Sequence, residues 1–123
     1  MLKIIKVDMG VYRHWALVTD RFYNGKPMLI SNSMRTGTVR EEPWDEVVKG
    51  RKYQMFLVKA KSHKHSIFVR ARQAIGKVRY SLLSYNCEHF IKHLITGKPT
   101  SHQVKVTMTG LALMGTYFLY KKR

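Results

Sequence analysis

Ser84-Tyr85-Asn86-Cys87-Glu88-His89-Phe90-Ile91-Lys92-His93-Leu94-Ile95 reads as a helix with a thiol in its first turn. Asn86 is a favoured N-cap, because its side-chain oxygen can accept from the backbone N–H groups that a helix start leaves unpaired. Phe90, Ile91, Leu94 and Ile95 fall on one apolar face, and Gly97-Lys98-Pro99 supplies a stop. Cys87 is thus placed where unpaired amides and the helix dipole favour the thiolate, and where a backbone N–H can serve an oxyanion. It is the only cysteine in 123 residues, so no internal disulfide can form and a reducing, cytoplasmic compartment is expected.

Upstream of this helix the chain reads mainly as strands. Leu2 to Val7 is short, β-branched and roughly alternating, and its lysines speak for structure instead of a signal peptide. His14 to Thr19 reads as a second strand, and Asn24-Gly25 is a strong hairpin signal before a returning strand at Met28-Leu29-Ile30. Residues 34 to 46, with Gly37, Pro43 and four acids, are expected to make a surface excursion with a helical turn near Trp44. Tyr53 to Val58 has strand composition. Ser66 is expected to cap a helix carrying Ile67, Ala71, Ala74 and Ile75 up to Gly76, and Val78 to Leu83 to be extended.

Tyr12-Arg13-His14-Trp15-Ala16-Leu17 opens the second strand. From there His14 can point to the first turn of the helix and act as general base toward Cys87; the other reading is a structural strand histidine. His89 and His93 lie four apart on one helix face, but no second ligand pair accompanies them, so no metal is assigned.

These two segments, with His before Cys, resemble the H-box and NC-box of the permuted NlpC/P60-like superfamily, which includes lecithin:retinol acyltransferase, the HRAS-like suppressor phospholipase A/acyltransferases and the H-box/NC 2A proteins of certain picornaviruses. Lys52-Tyr53-Gln54, Ala74-Ile75-Gly76 and Ser101-His102-Gln103-Val104 before a hydrophobic tail are similar to the HRAS-like branch. The resemblance implies an α+β fold of permuted papain-like topology, a small antiparallel sheet packed against the Cys-bearing helix. It further implies a domain over 1–103, a tail over 104–123, and thiol acyltransferase/phospholipase A chemistry on phospholipid esters without a cofactor. The cellular enzymes of this family carry a second histidine on the strand after the H-box, and Met28-Leu29-Ile30-Ser31-Asn32 holds none. Asn32, or Ser31 if the register shifts by one, is the candidate to orient His14.

The charge is +16, from 23 Lys and Arg against seven Asp and Glu. Such an excess favours polyanionic partners, an anionic membrane or phospholipid or RNA. The apolar run 106 to 120, bounded by Lys105 and by Lys121-Lys122-Arg123, is shorter than the roughly 20 residues that cross a bilayer and is expected to touch a membrane rather than span it. Two functions are therefore in view. One is a Cys/His phospholipase A/acyltransferase at cytoplasmic membranes; the other is a weakly catalytic or inactive viral-type module that holds RNA or host membranes through its basic surface.

Overall fold

Leu2–Asp8, strand β1, buries Leu2 and Ile4 toward one side and Ile5 and Val7 toward the other, so it lies inside a sheet covered on both faces. The computed structural model describes residues 1–97. β1 pairs antiparallel with Arg13–Tyr23 (β2) on one side and with Tyr53–Val58 (β5) on the other. Lys26–Asn32 (β3) and Val39–Glu42 (β4) extend the sheet beyond β2, giving five antiparallel strands in the order β4-β3-β2-β1-β5. The short helix Trp44–Val48 (α1) and the longer helices Lys64–Gln73 (α2) and Cys87–Thr96 (α3) complete an α+β fold.

Each face of the sheet has its own core. Leu2, Ile4, Leu17, Ile30 and Val39 pack under α2 and α3, against Ile67, Phe68, Ala71, Phe90, Ile91 and Leu94. Ile5, Val7, Ala16, Val18 and Leu29 pack with Val47 and Val48 of α1. Burying side chains of this size contributes roughly 1.5–3 kcal/mol each, which fixes the pairing register because a slip of one residue would exchange the two faces.

The β2–β3 hairpin forms as the sequence predicts. Asn24 and Gly25 have φ values of 53° and 74°, the paired left-handed geometry of a two-residue turn, and Tyr23 lies opposite Lys26. The helical turn near Trp44 is also found, as α1.

Three local expectations are corrected. The acidic excursion contains a strand: β4 pairs Ser31 with Arg40 and Asn32 with Val39, and its Glu41 is gripped by Arg72 through contacts of 3.1 Å to each carboxylate oxygen. α2 begins earlier than the Ser66 cap predicts, with His63 as N-cap; its Nδ1 accepts from the His65 amide at 3.2 Å. The Val78–Leu83 stretch makes only isolated bridges, Thr38 with Arg79 and Ser81 with Tyr85, because its backbone bonds reach residues 37 to 39 and then turn back. The tail expected over 104–123 lies outside the described residues.

Candidate active site

Asn86 caps α3 as its side-chain type predicts. Its Oδ1 accepts from the Glu88 and His89 amides at 2.9 and 3.1 Å, while its own amide donates to His89 Nδ1 at 3.0 Å. His89 thereby closes a reciprocal capping box, a role usually filled by Glu or Gln. The cap fixes the first turn, and with it Cys87.

The Cys87 sulfur lies against the backbone of β2. Sγ is 3.7 Å from the Arg13 carbonyl oxygen, to which it donates, and the Trp15 amide also bonds to it. Arg13 and Trp15 flank His14 in the chain, so the sulfur is seated beside the His14 backbone at the start of β2. Both Cys87 and His14 are buried.

His14 shares its face of β2 with Ala16 and Val18 by strand alternation. Its Nε2 is 2.9 Å from Ser31 Oγ, and Ser31 is buried. Asn32 is turned elsewhere: its Nδ2 donates to the Tyr85 carbonyl at 2.9 Å, which ties β3 to the segment entering α3. The structure thus brings Ser31, and not Asn32, to the imidazole.

The electrostatics favour a neutral pair. Burial, then the fields of Arg35 and Arg51, hold the His14 imidazole down at about 4 from an ordinary 6.5. Burial pushes the Cys87 thiol up to about 11 from 9.0, although the amides of Trp15, Glu88 and Cys87 itself pull the other way. The helix N-terminus alone predicts an acidified thiol; here desolvation outweighs the helix. At neutral pH both groups are therefore uncharged, an imidazole with a free lone pair and a thiol that keeps its proton.

The family model for lecithin retinol acyltransferase matches residues 2–100. The chain belongs to that family. Phospholipase A and acyltransferase 3 of Mus musculus is 27% identical over 135 aligned positions, covering 91% of this chain and 80% of the relative. The Homo sapiens protein of the same name is 26% identical over 153 positions, covering 98% and 91%, and human phospholipase A and acyltransferase 2 is 28% identical, covering 89% and 79%. Acyltransferase and phospholipase chemistry is therefore the family background of this site.

The two histidines of α3 have local partners: His89 in the capping box and His93 through its Nδ1, 3.0 Å from the Tyr85 hydroxyl. Three residues near the thiol escaped the sequence reading. The phenols of Tyr12 and Tyr80 are raised above their usual range by burial and then by the Cys87 charge, which places both within electrostatic reach of the sulfur. Glu88 is fully buried and pairs with Lys92 at 2.9 Å, one helical turn on. Lys92 and Lys6 in turn stand 5.4 and 4.0 Å from the Trp15 ring centre. The i,i+4 spacing of Glu88 and Lys92 signals their pairing, but nothing in sequence brings Tyr80 to Cys87.

Proposed function

We propose that this chain is a Cys/His phospholipase A/acyltransferase acting on phospholipid esters through a thioester. The observation that carries the reading is the seat of the Cys87 sulfur on the β2 backbone at either side of His14. The mechanism uses the tautomer in which Nε2–H donates to Ser31 Oγ, so that Nδ1 of His14 carries the lone pair. In the first half-reaction Nδ1 takes the thiol proton while sulfur bonds to the ester carbonyl carbon. The tetrahedral oxyanion then collapses, the lysophospholipid oxygen leaves with the proton from the imidazolium, and an acyl-Cys87 thioester remains. Water returns a fatty acid; an amine or a lysolipid hydroxyl returns a new acyl product.

The net charge of +16 and the basic-ended apolar segment 104–123 support recruitment to an anionic membrane on the cytoplasmic side. The same charge supports a second reading, a module that binds RNA; it requires binding that weakens steeply with salt and ignores sequence.

The test is fatty-acid release from phosphatidylcholine vesicles containing phosphatidylglycerol. Cys87→Ala and His14→Gln should each abolish release while retaining the native circular dichroism spectrum. Release that persists in folded Cys87→Ala protein rules the mechanism out.

A further inference from the structure

Beyond the thiol, a cleft of about 910 Å³ opens between the Met9–Tyr12 turn and the segment Gly50–Gln54. Its lining carries four cations, Lys6, Arg13, Arg51 and Lys52, against the single acid Asp8, whose Oδ1 is engaged by the Gly10 amide at 2.8 Å. We propose that this cleft is the phosphodiester subsite of the enzyme, holding the head-group phosphate of a phospholipid between Arg51 and Lys52 on one wall and Lys6 and Arg13 on the other. The proposal rests on the phospholipid reading above and adds where the polar end of that substrate lies.

The backbone builds the cleft firmly. Lys49 and Gly50 have φ values of 51° and 70°, two successive left-handed residues that reverse the chain after α1, and the Arg51 amide then bonds to the Val48 carbonyl at 3.0 Å. The Asp8 amide donates to the Lys52 carbonyl at 2.8 Å, which fastens this wall to β1. Arg51 and Lys52 are therefore presented from a fixed turn, as recognition of a small anion requires.

The cleft also adjoins the chemistry. Tyr12 and Arg51 line both this cleft and the small cavity of about 80 Å³ beside His14. The carbonyl of Arg13 is the one that meets the Cys87 sulfur. A phosphate held by the Arg13 and Arg51 side chains leaves the glycerol esters, only a few bonds away, within reach of the thiol. Lys6 is already held below its ordinary range by burial and then by Arg13, so the cations are crowded and an anion between them relieves their repulsion. A lipid is favoured over RNA by the rim: Val11, 95% exposed, caps the turn as a bare apolar tip, which suits an acyl–water interface and gives nothing to a phosphate backbone.

Full-length Cys87→Ala protein, which cannot turn over, is titrated with dihexanoylphosphatidylglycerol below its micelle concentration while backbone amide NMR shifts are followed. Saturable shifts at Arg13, Arg51 and Lys52 are expected, with affinity about tenfold weaker in Arg51→Gln and in Lys52→Gln, in line with loss of one charge-assisted contact. Dihexanoylglycerol, which lacks the phosphate, should leave these amides unmoved, and inorganic phosphate should compete only at much higher concentration. Equal shifts from dihexanoylglycerol, unchanged affinity in both variants, phosphate binding as tight as the lipid, or displacement of the lipid by a single-stranded RNA oligonucleotide that binds more tightly would each overturn the proposal. Because binding is read without turnover, a failed head-group site and a failed thiol mechanism are told apart.

Discussion

Ser31 Oγ stands 2.9 Å from His14 Nε2, both side chains buried, so in the proposed mechanism Nδ1 is the imidazole nitrogen left for the thiol. The pair joins β2 to β3 on the sheet face opposite α3, while the Cys87 sulfur meets the β2 backbone at the Arg13 carbonyl.

Ser31→Ala removes that contact without removing the base. The expected result is a kcat about fivefold lower, the effect of one net hydrogen bond near 1 kcal/mol, with KM little changed. Asn32→Ala should lower stability through the lost bond to the Tyr85 carbonyl and spare the acid limb of the pH profile. A Ser31→Ala enzyme with unaltered kcat would show that His14 is oriented by something else.

Stability should depend on pH through the same histidine. Its folded value, about 4, lies below the unfolded 6.5, so the unfolded chain binds the extra proton between those values. The contribution is complete above pH 6.5 and is lost as pH falls toward 4, by about 3 kcal/mol for a shift of this size. Urea unfolding at pH 7 and pH 4.5 should show a smaller acid loss in His14→Gln than in the unaltered protein; an equal loss contradicts a buried neutral imidazole.

Thiol reactivity reports the other half of the pair. With Cys87 raised to about 11, alkylation by iodoacetamide should be slow at pH 7 and climb about tenfold per pH unit through pH 9. A thiolate–imidazolium pair at rest would instead react at a rate independent of pH across the neutral range.

Away from the site, Arg72 holds the edge of the sheet. It contacts Glu41 of β4 and, at 2.7 Å, Asp20 of β2, and the Glu41 side chain is only 5% exposed. Arg72→Ala strands that carboxylate with Arg21 as its remaining partner and should cost about 2 kcal/mol in urea unfolding. Arg72→Lys should recover little, because an ammonium cannot match both carboxylate oxygens at once.

Much of this site is written in local sequence. Asn86 and Gly97 bracket α3, Asn24-Gly25 turns the β2–β3 hairpin, and the alternation in β1 marks a strand buried on both sides. These features depend on residues within a few positions of one another. What escaped depends on partners far along the chain. β4 is rich in charge and reads as loop until Arg72, some thirty residues on, neutralises Glu41. Sequence points to Asn32 first and to Ser31 only after a one-residue register shift, and it is Ser31 that faces His14, because a single step along the strand exchanges the two faces. The upward push on the thiol is not legible from the helix alone, because burial beneath β2 is a tertiary effect.

The central claim is that Cys87 carries the acyl group, and intact mass spectrometry tests it most directly. The full chain is incubated with vesicles of phosphatidylcholine and phosphatidylglycerol, quenched in acid within the first turnovers, and weighed. The account predicts a mass gain of one acyl chain, mapped to the Cys87 peptide, removed by neutral hydroxylamine and absent from Cys87→Ala. An unmodified Cys87 while fatty acid is released, or an acyl adduct that persists in Cys87→Ala, would contradict it.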